Sequence, residues 1–271
     1  MTLAVATARE AVRSAADALA AAGCDTPLLD AEVLIADALD VERAAIVADP
    51  ALPVPAPAAR VIAERIRRRV AREPVAYILG RKGFRFIEVA VDSRVLIPRP
   101  ETELLVEVAL DLPAGARVHE VGTGSGAVAL ALLHERPELE VTASDASAAA
   151  VEVARANARG LGLLLEPFVA SGLPEGEFDL VLANLPYVAE REYAQLAPEI
   201  LRFEPRAALV GGGEDGLDAI RALVAHAPPG TRLALEHAPG QAAAVRALLA
   251  PGVATLRDLA GLERVTVGEA R

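Results

Sequence analysis

The segment Asn184-Leu185-Pro186-Tyr187 ends the apolar run "FDLVLA". Proline has no N–H to give to a sheet, so a strand that reaches Pro186 stops there. One amide side chain, one free carbonyl and one aromatic ring are then left together at a strand tip. Such a tip suits a planar nitrogen group, an amide or an exocyclic amine, whose delocalised lone pair is a poor nucleophile. The Asn184 side-chain oxygen and the Leu185 carbonyl can each accept one of its N–H groups and direct its electron density at an electrophile. The same acceptors stabilise positive charge developing on nitrogen, as an oxyanion hole does for negative charge. Pro186 stiffens the tip, and Tyr187 is expected to pack on the planar group and support the charge through its ring face. The expected catalytic residues are Asn184, Pro186 and Tyr187, with Leu185 joining them in holding the substrate.

"VHEVGTGSGAVALAL" sets Gly122, Thr123, Gly124, Ser125 and Gly126 between an expected strand and an expected helix. Glycines there let a ligand approach the backbone N–H groups of a helix N-terminus. Asp145 ends the next expected strand, 23 positions after Gly122, where a carboxylate can accept both hydroxyls of a ribose. The loop alone is ambiguous. Gly122, Gly124 and Ala127 also satisfy the dinucleotide pattern G-x-G-x-x-G/A, and a role in turning and packing needs no ligand at all. Glu120, two residues before the first glycine, breaks the tie, because a carboxylate suits a cation better than a pyrophosphate. S-adenosylmethionine carries a sulfonium, an ammonium and a ribose, and no phosphate. With that cofactor the electrophile at the strand tip is a methyl group. The methylated amide is acidic enough to lose its proton without a dedicated base, which leaves catalysis mostly to positioning. Glu120, Gly122, Thr123, Gly124, Ser125, Gly126, Asp145 and Asn184 are the expected cofactor contacts, and no metal is expected.

These residues need a scaffold that alternates strands and helices, and from Arg117 onward the pattern supplies one. "ARVHEV", "EVTASD", "FDLVLAN" and "TRLALEH" read as strands, separated by helical stretches through "AVALALLHERP", "AAAVEVARANARG" and "DGLDAIRALVAHA". That rhythm predicts a mostly parallel α/β sheet with helices on both faces. "ERVTVGEA" predicts a last strand at an edge. Upstream, "GFRFIEVAVDSRVLI" alternates and predicts a short hairpin. Residues 1 to 79 read as helices. Leu3, Ala8, Val12, Ala15 and Leu19 share one face, Gly23 ends that run, and Thr26-Pro27 offers a capping hydroxyl and a first-turn proline. "DPALPVPAPA" is a break, after which Arg65, Arg67, Arg68, Arg69 and Arg72 read most simply as a solvated helix face, with a specific partner site as the alternative. Three domains are expected: 1–79 helical and substrate-recognising, 80–98 a hairpin hinge, and 99–271 catalytic.

Composition narrows the partners. Lys and Arg number 27 and Asp and Glu 38, a net charge of −11, which disfavours binding to phosphate backbones. A single cysteine, Cys24, excludes an internal disulfide framework and reads as a small buried residue. His119, His134, His226 and His237 show no metal-ligand spacing. No uncharged apolar stretch approaches the roughly 20 residues of a membrane span, and charged residues interrupt the N-terminus, so a cytoplasmic protein with no membrane partner is expected. Arg99 and Glu101 read as orienting the cofactor or closing the hinge, or as a plain surface ion pair.

The sequence resembles the bacterial protein-(glutamine-N5) methyltransferases that act on class I peptide chain release factors. The resemblance runs along nearly the whole chain. It is carried by "VLIPRPETELL" (95–105), "PVAYILG" (74–80), "VGTGSGAVALAL" (121–132), "RFEPRAALVGG" (202–212), "LALEHAPGQ" (233–241) and "ERVTVG" (263–268). It implies a class I S-adenosylmethionine-dependent, Rossmann-like domain behind a helical-bundle domain and a β-hairpin hinge. It also implies a substrate glutamine in the Gly-Gly-Gln loop of a release factor; separately, a monomer without direct nucleic-acid contact is expected. A related enzyme for a ribosomal protein shares the catalytic turn. Three positions depart from the family pattern: Leu185 replaces the first proline of Asn-Pro-Pro-Tyr, Glu120 replaces an aspartate, and "ASGL" puts Ser171 and Gly172 where an acidic-aromatic pair is usual beside adenine. Gly172 is still expected to contact the cofactor. An N6-adenine nucleic-acid methyltransferase would use the same turn, but the acidic charge weighs against it. A nicotinamide oxidoreductase leaves the turn unexplained, and a non-catalytic binding module leaves Asn184 and Tyr187 idle.

Overall fold

The structure, a computed structural model, describes residues 7–49 and 51–271, so Leu3 of the first helical stripe lies outside the described residues. The chain packs as two compact units. One holds the residues up to Gly80 together with Pro198–Phe203, and the other holds Arg81–Ala197 and Glu204–Arg271.

The first unit is helical. Helix α1 (Ala8–Ala21) opens with a reciprocal cap, in which Glu10 N donates to Thr7 Oγ1 at 3.3 Å and Thr7 N to Glu10 Oε2 at 2.9 Å. Ala8, Val12, Ala15 and Leu19 are buried along one stripe, and Gly23 turns the chain in the left-handed region. Helix α2 (Pro27–Ala38) has its proline in the first turn, but Thr26 does not cap the backbone. Its hydroxyl donates instead to Asp30 Oδ1 at 2.8 Å. Helices α3 (Arg43–Ala48), α4 (Ala56–Val70) and α5 (Val75–Leu79) complete the N-terminal part. The core gathers Leu19, Ile35, Ile46, Ile62 and the buried Cys24.

The expected solvated arginine face does not exist. Arg65 pairs with Asp37 at 2.5 Å, Arg68 with Glu73 at 2.6 Å, and Arg69 with Asp30 at 2.7 Å and Glu199 at 2.9 Å. Arg72, just past α4, meets Glu199 at 2.6 Å. Only Arg67 of the five is mostly exposed, at 73%. Carboxylates on α2 and on Pro198–Phe203 flank this ridge, and charges buried there must be paired.

The second unit carries the sheet. Strands β1 (Arg81–Phe84) and β2 (Ile87–Ala90) form the expected hairpin, with a tip at Arg85-Phe86. Arg85 anchors the tip, because its Nη2 donates to Glu135 at 2.8 Å. A 3-10 turn, Pro100–Thr102, leads into α6 (Glu103–Leu110). There follow β3 (Arg117–Val121), α7 (Ala127–Glu135), β4 (Glu140–Asp145), α8 (Ala148–Leu161), β5 (Phe168–Val169) and β6 (Leu180–Ala183). Next come α9 (Glu190–Tyr193), the Pro198–Phe203 helix α10 that packs with the first unit, α11 (Asp218–His226), β7 (Arg232–Glu236), α12 (Ala242–Leu248), β8 (Ala254–Arg257) and β9 (Glu263–Glu269).

The strand order is β5-β4-β3-β6-β7-β9-β8, parallel from β5 to β7, with β9 antiparallel to both its neighbours. The last strand is therefore internal rather than the edge expected from its sequence, because β8 pairs outside it. All four residues of β6 and the last four of β3 and β7 are buried, so both faces of the central sheet are covered. Leu223 of α11 and Val245 of α12 share a core with Val181, Ala183, Leu233 and Leu235, while α6 packs across β6, β7 and β9.

Pairing register positions the chemistry. Val121 of β3 is level with Ser144 of β4 and Ala183 of β6, and Ala183 is level with Leu235 of β7. The next residue of each strand, Gly122, Asp145, Asn184 and Glu236, therefore falls in one row at the carboxyl ends of the parallel strands. Open α/β sheets bind their ligands at those ends.

Candidate active site

That row opens on a cavity of about 390 Å³. Glu120, Gly122, Thr123, Ser125, Asp145, Gly172, Asn184, Leu185 and Pro186 of the expected residues line it. Gly124, Gly126 and Tyr187 are outside that lining. The loop glycines shape the bend: Gly122, Gly124 and Gly126 all have positive φ, and Gly126 caps α7. A Cβ on Gly126 would come within 3.2 Å of the Ala154 Cβ, so this glycine serves helix packing. A Cβ on Gly124 would meet no protein atom within 4 Å, so only its left-handed backbone resists a side chain in the ligand-free protein.

Asp145 ties the loop to β4. Its Oδ2 accepts from Gly124 N at 2.9 Å and its Oδ1 from Ser147 N at 2.8 Å. Each oxygen keeps a lone pair for a ribose hydroxyl. Glu120 is 4% exposed, and its Oε2 accepts from Thr123 Oγ1 at 2.6 Å and Ala129 N at 3.0 Å. Burial pushes its pKa up to about 7, against the pull of those two donors and with a further upward push from Asp145. A buried carboxyl poised near neutrality gains its charge most readily when a cation arrives. The floor beyond Asp145 is built of small residues, Ala146, Ala150, Ala170 and Gly172, with no aromatic ring among the described lining residues.

At the strand tip, Asn184 Nδ2 donates to Thr102 Oγ1 at 3.1 Å. Leu185 leans toward the glycine loop, where its Cδ2 would come within 3.1 Å of a Cβ on Gly122. Tyr187 differs from expectation. Its ring packs against the core cluster of β6, β7 and α11 instead of the cavity, and its hydroxyl donates to Glu236 Oε1 at 3.3 Å. Burial, then the Glu236 charge, holds the Tyr187 phenol above its ordinary range.

Several supports escaped the sequence reading. Glu204 is buried and accepts from Ile97 N at 3.2 Å, while Arg99 pairs with it; Glu101 lies 3.8 Å from Arg264. Arg99 and Glu101 are therefore not each other's partners. Asn157 on α8 donates to Ser125 O at 2.8 Å and Ala90 O at 3.0 Å, holding the glycine loop to the hairpin. Gln241 Nε2 donates to Tyr187 O at 2.8 Å and Asp215 O at 2.7 Å, bracing the tip from behind. Glu236 had a readable signal, since it is a carboxylate closing an apolar strand as Asp145 does. The others act across long sequence separations that no local pattern reports. His119 is outside this site. It is buried among Phe168 and Phe178, which pushes its pKa down to about 4, and its ring nitrogens meet Thr142 and Ser144.

A family model described as "PrmC N-terminal domain" matches residues 10–80, and one described as "Methyltransferase small domain" matches residues 100–228. The second match and the strand order define a class I methyltransferase fold. The chain is 46% identical over 265 residues to a release factor glutamine methyltransferase of Xylella fastidiosa strain Temecula1, covering 92% of this chain and 96% of that one. It is 45% identical to the protein of that name in strain 9a5c, covering 89% and 92%. A solved protein-(glutamine-N5) methyltransferase (release factor-specific) from Alicyclobacillus acidocaldarius aligns over 63% of this chain and 92% of that one, at 29% identity and a TM-score of 0.38. The chain belongs to the release factor glutamine methyltransferase family, whose members are protein-(glutamine-N5) methyltransferase enzymes.

Proposed function

We propose that this chain moves a methyl group from S-adenosyl-L-methionine to the side-chain amide nitrogen of the glutamine in the Gly-Gly-Gln loop of class I release factors. One observation carries the reading: register sets Gly122, Asp145 and Asn184 in a single row around one cavity. The donor set fits the cofactor. Asp145 keeps free lone pairs for ribose hydroxyls, and Glu120 offers a carboxylate to a cation. The one cation among the lining residues, Arg94, is held by Asp92 at 2.7 Å. When bound, the cofactor supplies a methyl group on a positively charged sulfur.

The protein supplies position and field. Asn184 Oδ1 and the Leu185 carbonyl accept the two amide hydrogens of the glutamine and keep its nitrogen in line with the methyl. Those two acceptors would stabilise positive charge developing on that nitrogen without reorganising, and the acidic methylated amide would then lose its N–H proton to solvent. Pro186 limits the freedom of the tip. Tyr187 acts from below through its bond to Glu236 rather than by stacking on the substrate. Glu120, Gly122, Thr123, Ser125, Asp145 and Gly172 bind the cofactor at the wall, and Gly124 and Gly126 set the loop's backbone. Residues 1–79 recognise the protein substrate, 80–98 join the parts, and 99–271 hold the chemistry. The protein acts in the cytoplasm as a monomer, without direct nucleic-acid contact. No described helix is long and apolar enough to cross a membrane.

The test is to incubate the protein with labelled S-adenosylmethionine and a class I release factor and to map the methyl by mass spectrometry. The label is expected on the Gly-Gly-Gln glutamine. Label on another residue, or none on a folded release factor, would overturn the assignment.

A further inference from the structure

Glu236 ends β7 in the same row as Asn184 and is only 2% exposed. Its Oε1 accepts from the Tyr187 hydroxyl, while its Oε2 is buried without a hydrogen-bond partner. A buried carboxylate oxygen with no donor is costly and asks for a reason. Thr102 supplies one. Its hydroxyl favours the charged form of this carboxyl without meeting Oε2 in hydrogen-bond geometry, and its Oγ1 accepts from Asn184 Nδ2 at 3.1 Å. Thr102 thus stands between Glu236 and the residue that holds the attacking nitrogen.

We propose that Glu236 is a positioning residue that fixes the hydrogen-bond polarity of Asn184 through Thr102. The inference rests on the methyl-transfer reading of the turn given above. A charged carboxylate can only accept. Oε2 has a site open for the Thr102 hydroxyl hydrogen, and once the hydroxyl turns to it, Thr102 Oγ1 can only accept from Asn184. Asn184 must then turn its NH₂ toward Thr102 and its oxygen toward the substrate amide. A protonated Glu236 reverses the chain. Its O–H donates to Thr102, the Thr102 hydroxyl is free to donate onward, and Asn184 can answer with its oxygen. The amide then presents NH₂ to the substrate's own NH₂, donor against donor. The two ends of an asparagine amide are nearly equal in shape, so polarity alone selects between them.

The surroundings make that charge titratable near neutrality. Burial pushes the Glu236 pKa up to about 7, opposed by Thr102 and Tyr187, with Glu101 raising it and Arg264 lowering it. Arg264 is shared with Asp258 at 2.8 Å and Glu101 at 3.8 Å, so only part of its charge serves Glu236. His237, the next residue, turns its ring to Thr266 and the Ala238 carbonyl, away from this carboxyl.

The experiment is single-turnover methyl transfer to a release factor at saturating cofactor, followed from about pH 6 to about pH 8.5. Saturation keeps Glu120 in its ligand-bound state and out of the profile. The parent rate is expected to rise with pH through the range where Glu236 ionises. Glu236→Gln should lower the rate at high pH by roughly 10- to 100-fold and remove the rise, with cofactor KM little changed. Thr102→Val should do the same, since it leaves the charge but cuts the relay, and Thr102→Ser should restore both rate and rise. A folded Glu236→Gln protein with the parent rate and profile overturns the inference. If Glu236→Gln does not fold, parent behaviour in Thr102→Val overturns it equally. Asn184→Ala is the control for the underlying reading. A parent rate there sinks the reading of the turn, whereas a slow Asn184→Ala beside parent-like Glu236→Gln and Thr102→Val sinks only the role of Glu236.

Discussion

At the scale of single residues, the proposed function assigns the cofactor and the substrate to different residues. Asn184→Ala removes one of two acceptors for the attacking nitrogen, so kcat is expected to fall by about 10²–10³-fold, as when one oxyanion-hole donor is lost. Cofactor affinity should fall far less, because the Gly122 loop and Asp145 remain; calorimetry and single-turnover rates separate the two effects. Glu120 makes a second prediction. Its pKa is raised to about 7 in the ligand-free protein, and a bound cation favours the ionised form. Binding of S-adenosylmethionine near pH 6.5 should therefore release protons, read by calorimetry in buffers of different ionisation enthalpy. Glu120→Gln should abolish the release, and a parent-like release in that variant would show that another group supplies the proton. Asn184, Asp145 and Glu120 were legible in the sequence because each is a polar residue at or near the end of an apolar strand. Thr102 was not, since it meets Asn184 across 82 positions.

At the scale of elements, the Asn184–Tyr187 turn is braced by a second loop. A Cβ on Gly211 would fall 2.2 Å from the Pro186 carbonyl oxygen and 1.9 Å from that of Gly216, both backbone atoms that cannot step aside. Gly211 does not have a positive φ, so Gly211→Ala tests close approach alone. It is expected to cost about 1–3 kcal/mol or more by overpacking and to lower kcat beyond the loss of folded protein, while sparing cofactor affinity. Denaturant titration beside activity measurement checks this, and full stability in Gly211→Ala would mean that the loop does not press on the turn. The hydrophobic rhythm was enough to read the hairpin and the four strands β3, β4, β6 and β7. It failed for β5, which has only two residues, and for β8, whose residues are largely outside the core. Missing β8 is what made β9 look like an edge. The arginines after "VIAER" looked solvated because a charge pattern along one helix carries no record of carboxylates that return from elsewhere in the chain.

For the whole molecule, acidity pulls stability in two directions. Glu120 and Glu236 have pKa values raised from 4.5 to about 7, so they bind protons more tightly folded than unfolded. Their contribution is fully present below the unfolded value and is lost as pH rises through the folded one. Glu199 is the opposite case: burial pushes its pKa up, but hydrogen bonds from Arg72 and Arg69 more than offset that and leave it lowered. Its contribution is present at neutral pH and is lost as pH falls. Thermal melts of the ligand-free protein should therefore show greatest stability in mildly acidic buffer and a decline toward about pH 8. That decline should shrink in Glu120→Gln; an unchanged decline would remove Glu120 as its cause. Glu199→Gln should cost on the order of 3 kcal/mol at neutral pH, because it leaves Arg72 and part of Arg69 as buried charges without their partner. The membership of Pro198–Phe203 in the helical unit also bears on heredity and engineering. An N-terminal module that ended at Gly80 could be shuffled between enzymes as one contiguous cassette. This one cannot, because Arg69 and Arg72 pair with Glu199, on a six-residue helix encoded more than a hundred codons downstream. Any exchange that brings the first 80 residues must bring that short insert with them, so recombination between relatives would favour variants in which the two stretches came from the same parent.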